Sequence, residues 1–442
     1  MTRTVFILIT AGVFLTIQSC SSSGPGIFAK KTAHEEYADK LKNAGLQGTA
    51  LGQKWFEAAG KSLSQPLAVT IPYKEVGYFD DAEPGAVGLR FPARRGEKIL
   101  IELEKKPANG FMVFMDFWEA SPGAGNKLKL IQFADSSSGK IEFEIRQEGE
   151  YLLRIQPELL KGGQYTLEIA AGPSLAYPIK AEGRNHIKSF WGANRDGGAR
   201  SHEGIDMFAP RNTPVVAAAP GIVTRVNENN LGGKVVWMRP SGKDYTLYYA
   251  HLDSQIARDG QRVKTGDTLG LMGNTGNART TAPHLHFGVY TNGGAIDPFP
   301  FVNPKAAKPD NTRLSLERLG ELGRTDNKTM FYYSTSLQAG SSIELPASTL
   351  VKISAAVSDL YKVSLPDGNY GFINGNSVIS ANKQIRKLKI KETKNIFDAP
   401  DTIAPVKAFV KAGESVEILG NFNDYYYIRN DKHSGWISRD EY

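Results

Sequence analysis

The chain has 442 residues, with 53 Lys plus Arg against 46 Asp plus Glu and a single Cys. An apolar share of 41% and a charged share of 22% exclude wholesale disorder, and at about 150 residues per domain the length fits roughly two to four domains. A net charge of +7 suits attraction to an acidic polymer such as a cell wall but is far from a nucleic-acid-binding signature, and one Cys excludes both an internal disulfide and a zinc site with several Cys ligands.

Arg3 is the only charge before Cys20, and Phe6 to Ile17 form a short apolar run broken only by Thr and Gly. That run is below the roughly 20 residues a membrane-spanning helix needs, and with its basic start it reads as a bacterial secretory signal over residues 1–20. Ile17-Gln18-Ser19-Cys20 resembles the lipobox of bacterial lipoproteins. The resemblance implies that Cys20 is acylated and anchors the chain to a membrane without spanning it. Ser/Gly/Pro-rich residues 21–27 read as a tether.

From Phe28 to about Leu63 the spacing predicts helices, with Tyr37, Leu41 and Ala44 on one face, Gly45 as a stop, and Leu51, Trp55, Phe56 and Ala59 on a second helix. From Leu67 to Ala171 the period switches to two. Ile99, Ile101 and Leu103 alternate with polar residues, as do Ile141, Phe143 and Ile145, which predicts an antiparallel β-sandwich. Residues 28–172 are similar to the sandwich accessory domains found beside secreted peptidases, particularly at Glu150–Arg154 and Gln164–Leu167, and hold no catalytic constellation. They read as a binding or spacer module. Residues 306–442 carry a faint repeat: Leu360–Val363 then Gly371-Phe372-Ile373, and Tyr426–Ile428 then Gly435-Trp436-Ile437. This resembles bacterial SH3-like domains, a divergent one over 306–385 and a better match over 386–442.

The chemistry is concentrated in residues 173–305. Four of the seven His fall in three islands there: His202 with Asp206, His251 in Ala250-His251-Leu252, and His284 with His286. On strands, the even separations of His202 from Asp206 and of His284 from His286 put each pair on one face. Imidazoles and a carboxylate facing one cleft suit Zn²⁺, which in catalytic sites takes three protein ligands and leaves a fourth position to water. Spacing alone leaves open which of His284 and His286 is a ligand. Residues 183–300 resemble a LytM/lysostaphin-type zinc endopeptidase domain, through His202-x-x-x-Asp206, Ala250-His251-Leu252, His284-x-His286 and the frame Pro214–Val223, Gly266–Gly270 and Gly273–Gly276. The resemblance implies an antiparallel β-sheet with the cleft on one side. It also implies one zinc ion held by His202, Asp206 and His286, with His251 and His284 as catalytic groups beside the reacting centre.

Several residues nearby read as structural. On a strand Glu203 would face away from His202. His34, His186 and His433 lie outside the three islands, Asn194 flanks the cleft, one of Tyr248 and Tyr249 belongs to a core, and Lys243-Asp244 reads as a solvated hairpin. The fold class expected is mainly β and multidomain. The function expected is a lipid-anchored zinc endopeptidase hydrolysing peptide cross-links of peptidoglycan in the cell envelope, facing the periplasm or surface, with the outer membrane as its place. By analogy the bond is a D-alanyl-diaminopimelate bridge. Flanking domains would meet cell-wall hydrolases or other envelope proteins. The alternatives are a catalytically silent member that activates other wall hydrolases, disfavoured because all five positions are intact, and a structural lipoprotein, which leaves the His/Asp cluster unexplained.

Overall fold

The computed structural model describes residues 31–120, 127–135, 137–183, 186–305, 307–337 and 342–439. The signal, Cys20 and the tether lie outside them. Among the described residues no helix is long and apolar enough to cross a membrane.

Two helices open the described chain. Helix α1, Ala33–Asn43, starts on a capping box: Thr32 Oγ1 accepts from the Glu35 backbone N–H, and the Glu35 carboxylate accepts from that of Thr32. It ends before Gly45, whose φ of 72° few other residues adopt. Helix α2, Ala50–Ser64, buries Trp55, whose indole donates to the Pro157 carbonyl at 2.9 Å. His34 stacks on Trp55 with centroids 4.8 Å apart and donates through Nε2 to Gln156 Oε1 at 2.7 Å. His34 is thus a buried packing residue that fastens the helices to the Gly149–Pro157 strand.

The alternating segments form the expected two-layer sandwich. One sheet has five strands, in the order Leu67–Ala68, Val87–Ala93, Gly149–Pro157, Val113–Ala120 and Leu128–Asp135. The facing sheet includes Tyr73–Phe79, Gly163–Pro173, Glu97–Lys106 and Lys140–Glu144, and it does not stop there. Tyr73–Phe79 pairs antiparallel with Leu350–Val357, Val76 opposite Ala356, so one sheet of eleven strands runs through the sandwich and the 306–385 segment. Between the two parts Glu75 is fully buried, accepting from Lys362 Nζ at 2.6 Å, Tyr73 Oη at 2.5 Å and Tyr165 Oη at 2.8 Å. Both copies of the faint repeat are antiparallel hairpins, Leu360–Ser364 with Tyr370–Asn374 and Tyr425–Arg429 with Ser434–Ser438. The second belongs to a separate six-stranded sheet.

The central part is a ten-stranded sheet that includes, in order, Ile187–Ser189, Ile205–Phe208, His284–Thr291, Thr246–Gln255, Gly233–Pro240 and Gly221–Asn229. Period two separates its faces. Leu285, Phe287, Val289, Leu247, Tyr249, Val236 and Met238 are all inaccessible and form the core. His284, His286, Ala250 and Tyr248 take the other face. Tyr249, not Tyr248, is the deep core tyrosine, and its hydroxyl accepts from the Ala218 N–H. The Lys243-Asp244 turn is not simply solvated, since Lys243 pairs with Glu144 of the sandwich and Asp244 lies 3.6 Å from Arg95.

Candidate functional site

The three islands converge on one cleft of about 810 Å³. Asp206 and His286 stand directly opposite each other on neighbouring antiparallel strands, and Ala250 flanks His286 on the other side. His202 arrives differently. It precedes the Ile205–Phe208 strand, and the chain bends at Gly204 to bring its ring back over Asp206. A Cβ on Gly204 would lie 2.6 Å from His286 Cε1, so only glycine lets the bend pass beside that ring. Because residues 202–204 are not a strand, Glu203 does not face away as expected. It lines the cleft together with Tyr290.

His202 Nε2, Asp206 Oδ1 and His286 Nδ1 form a triangle whose three edges are each 3.0 Å. Among the described residues these three form the group whose donor atoms are close enough to share one metal ion. Donors held at about 2 Å around one tetrahedral zinc ion stand roughly 3.3 Å apart, and two imidazoles with one carboxylate are zinc ligands, so the donor set fits. His202 Nδ1 donates to the Phe190 carbonyl at 2.8 Å, which fixes the tautomer and leaves the Nε2 lone pair pointing into the triangle. Asp206 Oδ2 is taken by Arg195 Nη2 at 2.7 Å, and the same nitrogen reaches Ser189 Oγ at 2.7 Å. Asp206 therefore presents one oxygen to the triangle. Burial pushes its carboxyl up, but hydrogen bonds and charge from His202 and His286 outweigh that and hold it far below the usual range.

His251 and His284 stand beside the triangle, their rings 4.9 Å apart. His251 Nδ1 donates to the Thr275 carbonyl at 2.9 Å and His284 Nδ1 to the Ala282 carbonyl at 2.8 Å. A carbonyl only accepts, so both rings carry their proton on Nδ1 and keep a basic Nε2 when neutral. Burial first, then the neighbouring His284 and His286, lowers the His251 pKa to about 4, so that ring is neutral at pH 7. His251 also holds a left-handed backbone, φ 61°, a costly conformation for a residue with a side chain. Its N–H donates to the Gly232 carbonyl at 2.8 Å, which helps to hold it there.

All five residues singled out in the sequence thus meet, while His34, His186 and His433 do not join them. Asn194 is exposed in the short Asn194–Arg195 strand, and the next residue, Arg195, is the one that reaches the site. Arg195 and the anchoring carbonyls of Phe190, Thr275 and Ala282 carried no sequence signal, because backbone groups have no residue type and a lone Arg in a loop is common.

Comparison with known proteins decides the family of this segment. Residues 200–298 match Peptidase family M23, and residues 392–441 match the bacterial SH3 domain. The segment 200–298 is an M23 peptidase domain. M23 peptidases are zinc-dependent, in keeping with the His-Asp-His triangle. The chain is 37% identical over 127 residues to an uncharacterized metalloprotease of Haemophilus influenzae, covering 28% of this chain and 26% of that one. It is 38% identical over 110 residues to the peptidoglycan DD-endopeptidase ShyC of Vibrio cholerae, covering 25% of each. It is also 38% identical over 115 residues to the lipoprotein YgeR of Escherichia coli, covering 26% of this chain and 43% of that one. The chain thus spans between a quarter and less than half of the length of these relatives.

Proposed function

We propose that the M23 domain is a zinc-dependent endopeptidase that hydrolyses peptide cross-links of bacterial peptidoglycan. The observation that carries the proposal is the triangle of His202 Nε2, Asp206 Oδ1 and His286 Nδ1 with two carbonyl-anchored imidazoles beside it. The names of the relatives support the substrate, and the intact donor set favours an active enzyme over a silent activator of other wall hydrolases. In this reading His202, Asp206 and His286 hold the metal and His251 and His284 are the catalytic pair. A bound Zn²⁺ supplies Lewis acidity there, polarising the scissile carbonyl and lowering the pKa of water from about 15.7 toward about 7.

The protein's own groups do the rest. Arg195 and the Phe190 carbonyl hold Asp206 and His202 in their orientations. The unprotonated Nε2 of His251, with His284 beside it, accepts the proton of the attacking water, and in its protonated form the ring stabilises negative charge on the carbonyl oxygen and returns the proton to the leaving amine. The cleft of about 810 Å³ brings all five of these residues to one space. Acylated Cys20 would anchor the chain in the envelope, with the outer membrane as its place, and the flanking domains would bind or space the peptidase against the wall or its other hydrolases.

The test is incubation of the purified chain, lacking residues 1–20, with cross-linked muropeptide dimers in zinc and in chelator. Zinc-dependent release of monomers that is abolished in His286→Ala supports the reading. Intact dimers in zinc, together with stimulation of a wall amidase, would replace it by the activator reading.

A further inference from the structure

The sheet face that carries His286 also carries three aromatic rings that the metal chemistry does not use. His286, Gly288 and Tyr290 follow one another on that face of the His284–Thr291 strand, Tyr248 stands opposite Gly288, and Trp237 stands opposite Tyr248. Trp237 and Tyr248 have centroids 4.2 Å apart, Trp237 and Tyr290 5.2 Å, and Tyr248 lies edge-on to His286 at 5.9 Å. The absence of a side chain at Gly288 makes room for them, for a Cβ there would meet the Tyr290 ring at 2.7 Å. All three rings line the cleft, and Trp237 and Tyr290 remain half-buried and not fully covered. Their rim is polar: Asn229 and Glu203 line the same cleft.

An apolar side chain of a substrate calls for a closed apolar pocket, whereas this is an open shelf with planar polar groups at its edge. That combination matches a pyranose, whose C–H face lies on an aromatic ring while its hydroxyl and acetamido groups hydrogen bond outward. The cleft also has far more room than a scissile dipeptide requires. We propose that Trp237, Tyr248 and Tyr290 form a subsite for an N-acetylated sugar of the glycan strand, so that the enzyme prefers peptides still joined to their glycan. The inference rests on the peptidoglycan reading above.

The experiment compares a cross-linked dimer carrying its disaccharides with the same dimer after the sugars have been removed. The wild type should favour the sugar-bearing dimer by about tenfold in kcat/KM, chiefly through KM. Trp237→Ala, Trp237→Leu and Tyr290→Ala should each bring that ratio close to one. Calorimetry of the metal-free protein with N-acetylglucosaminyl-N-acetylmuramic acid supplies a second readout, with heat of binding expected from the wild type and lost in Trp237→Leu. Zinc binding by each variant reports that the domain is folded. A wild-type ratio of one, or variants that slow both dimers equally, would overturn the proposal and give the shelf to the peptide. If the wild type cuts neither dimer, the hydrolase reading fails, and the calorimetric result alone decides the subsite.

Discussion

Gly204→Ala tests the way the fold assembles the site. The backbone at Gly204 is outside the left-handed region, so alanine meets no conformational penalty there. The obstacle is steric: the added Cβ lies 2.6 Å from His286 Cε1, 2.7 Å from His286 Nε2 and 2.7 Å from the Phe287 carbonyl oxygen. Comfortable contact needs about 3.5 Å, so the ring and its strand must withdraw by roughly 0.9 Å. Overpacking of this size costs about 1–3 kcal/mol, which a domain with this core survives. Metal ligands tolerate only about 0.2 Å of displacement, so the triangle suffers more than the fold does. Zinc affinity should fall by about 10- to 100-fold, a range seen when the support of a ligand is lost. Competition against a chelating dye measures it, with thermal unfolding of the metal-free protein as the control. A folded Gly204→Ala protein that binds zinc as tightly as the wild type would refute the reasoning.

Three further outcomes are expected. Arg195→Ala removes the charge-assisted partner of Asp206 Oδ2 and should weaken zinc binding about tenfold, Arg195→Lys less so; unchanged affinity in the same competition would remove Arg195 from the account. Lys362→Met strands the buried Glu75 and should cost about 3–5 kcal/mol in denaturant unfolding, most of it recovered by adding Glu75→Gln; a single variant as stable as the wild type would show the pair to be idle. Burial, aided by the Arg154 charge, lowers the His34 pKa from 6.5 to about 4, so the fold favours the neutral ring. The stability from that preference is complete above about pH 6.5 and drains away as the pH falls toward 4, by about 3 kcal/mol, and a His34→Gln protein that follows the same pH–stability curve would contradict it.

What was legible in the residues is what strand periodicity and short motifs encode. His284 and His286 do sit on one face of a strand, with Leu285 in the core, as their spacing predicts. His202 and Asp206 meet for a different reason, since their four-residue separation spans a bend at Gly204 and not a continuous strand. The same misreading turned Glu203 outward. The left-handed backbone of His251 was invisible because nothing about Ala250-His251-Leu252 demands it; the Gly232 carbonyl that receives its N–H lies in another loop. The joint sheet through Val76 and Ala356 was equally out of reach, as each strand looks the same whether it ends a sheet or continues one. Arg195 illustrates the general limit: its role exists only once Asp206 is folded beside it.

The central claim is that His202, Asp206 and His286 together hold one zinc ion. Anomalous diffraction at the zinc edge from crystals grown with one equivalent of the metal tests it most directly. The account predicts a single peak bonded to His202 Nε2, Asp206 Oδ1 and His286 Nδ1, with none in His286→Ala. A peak ligated by other side chains, or none in the wild type, would contradict it.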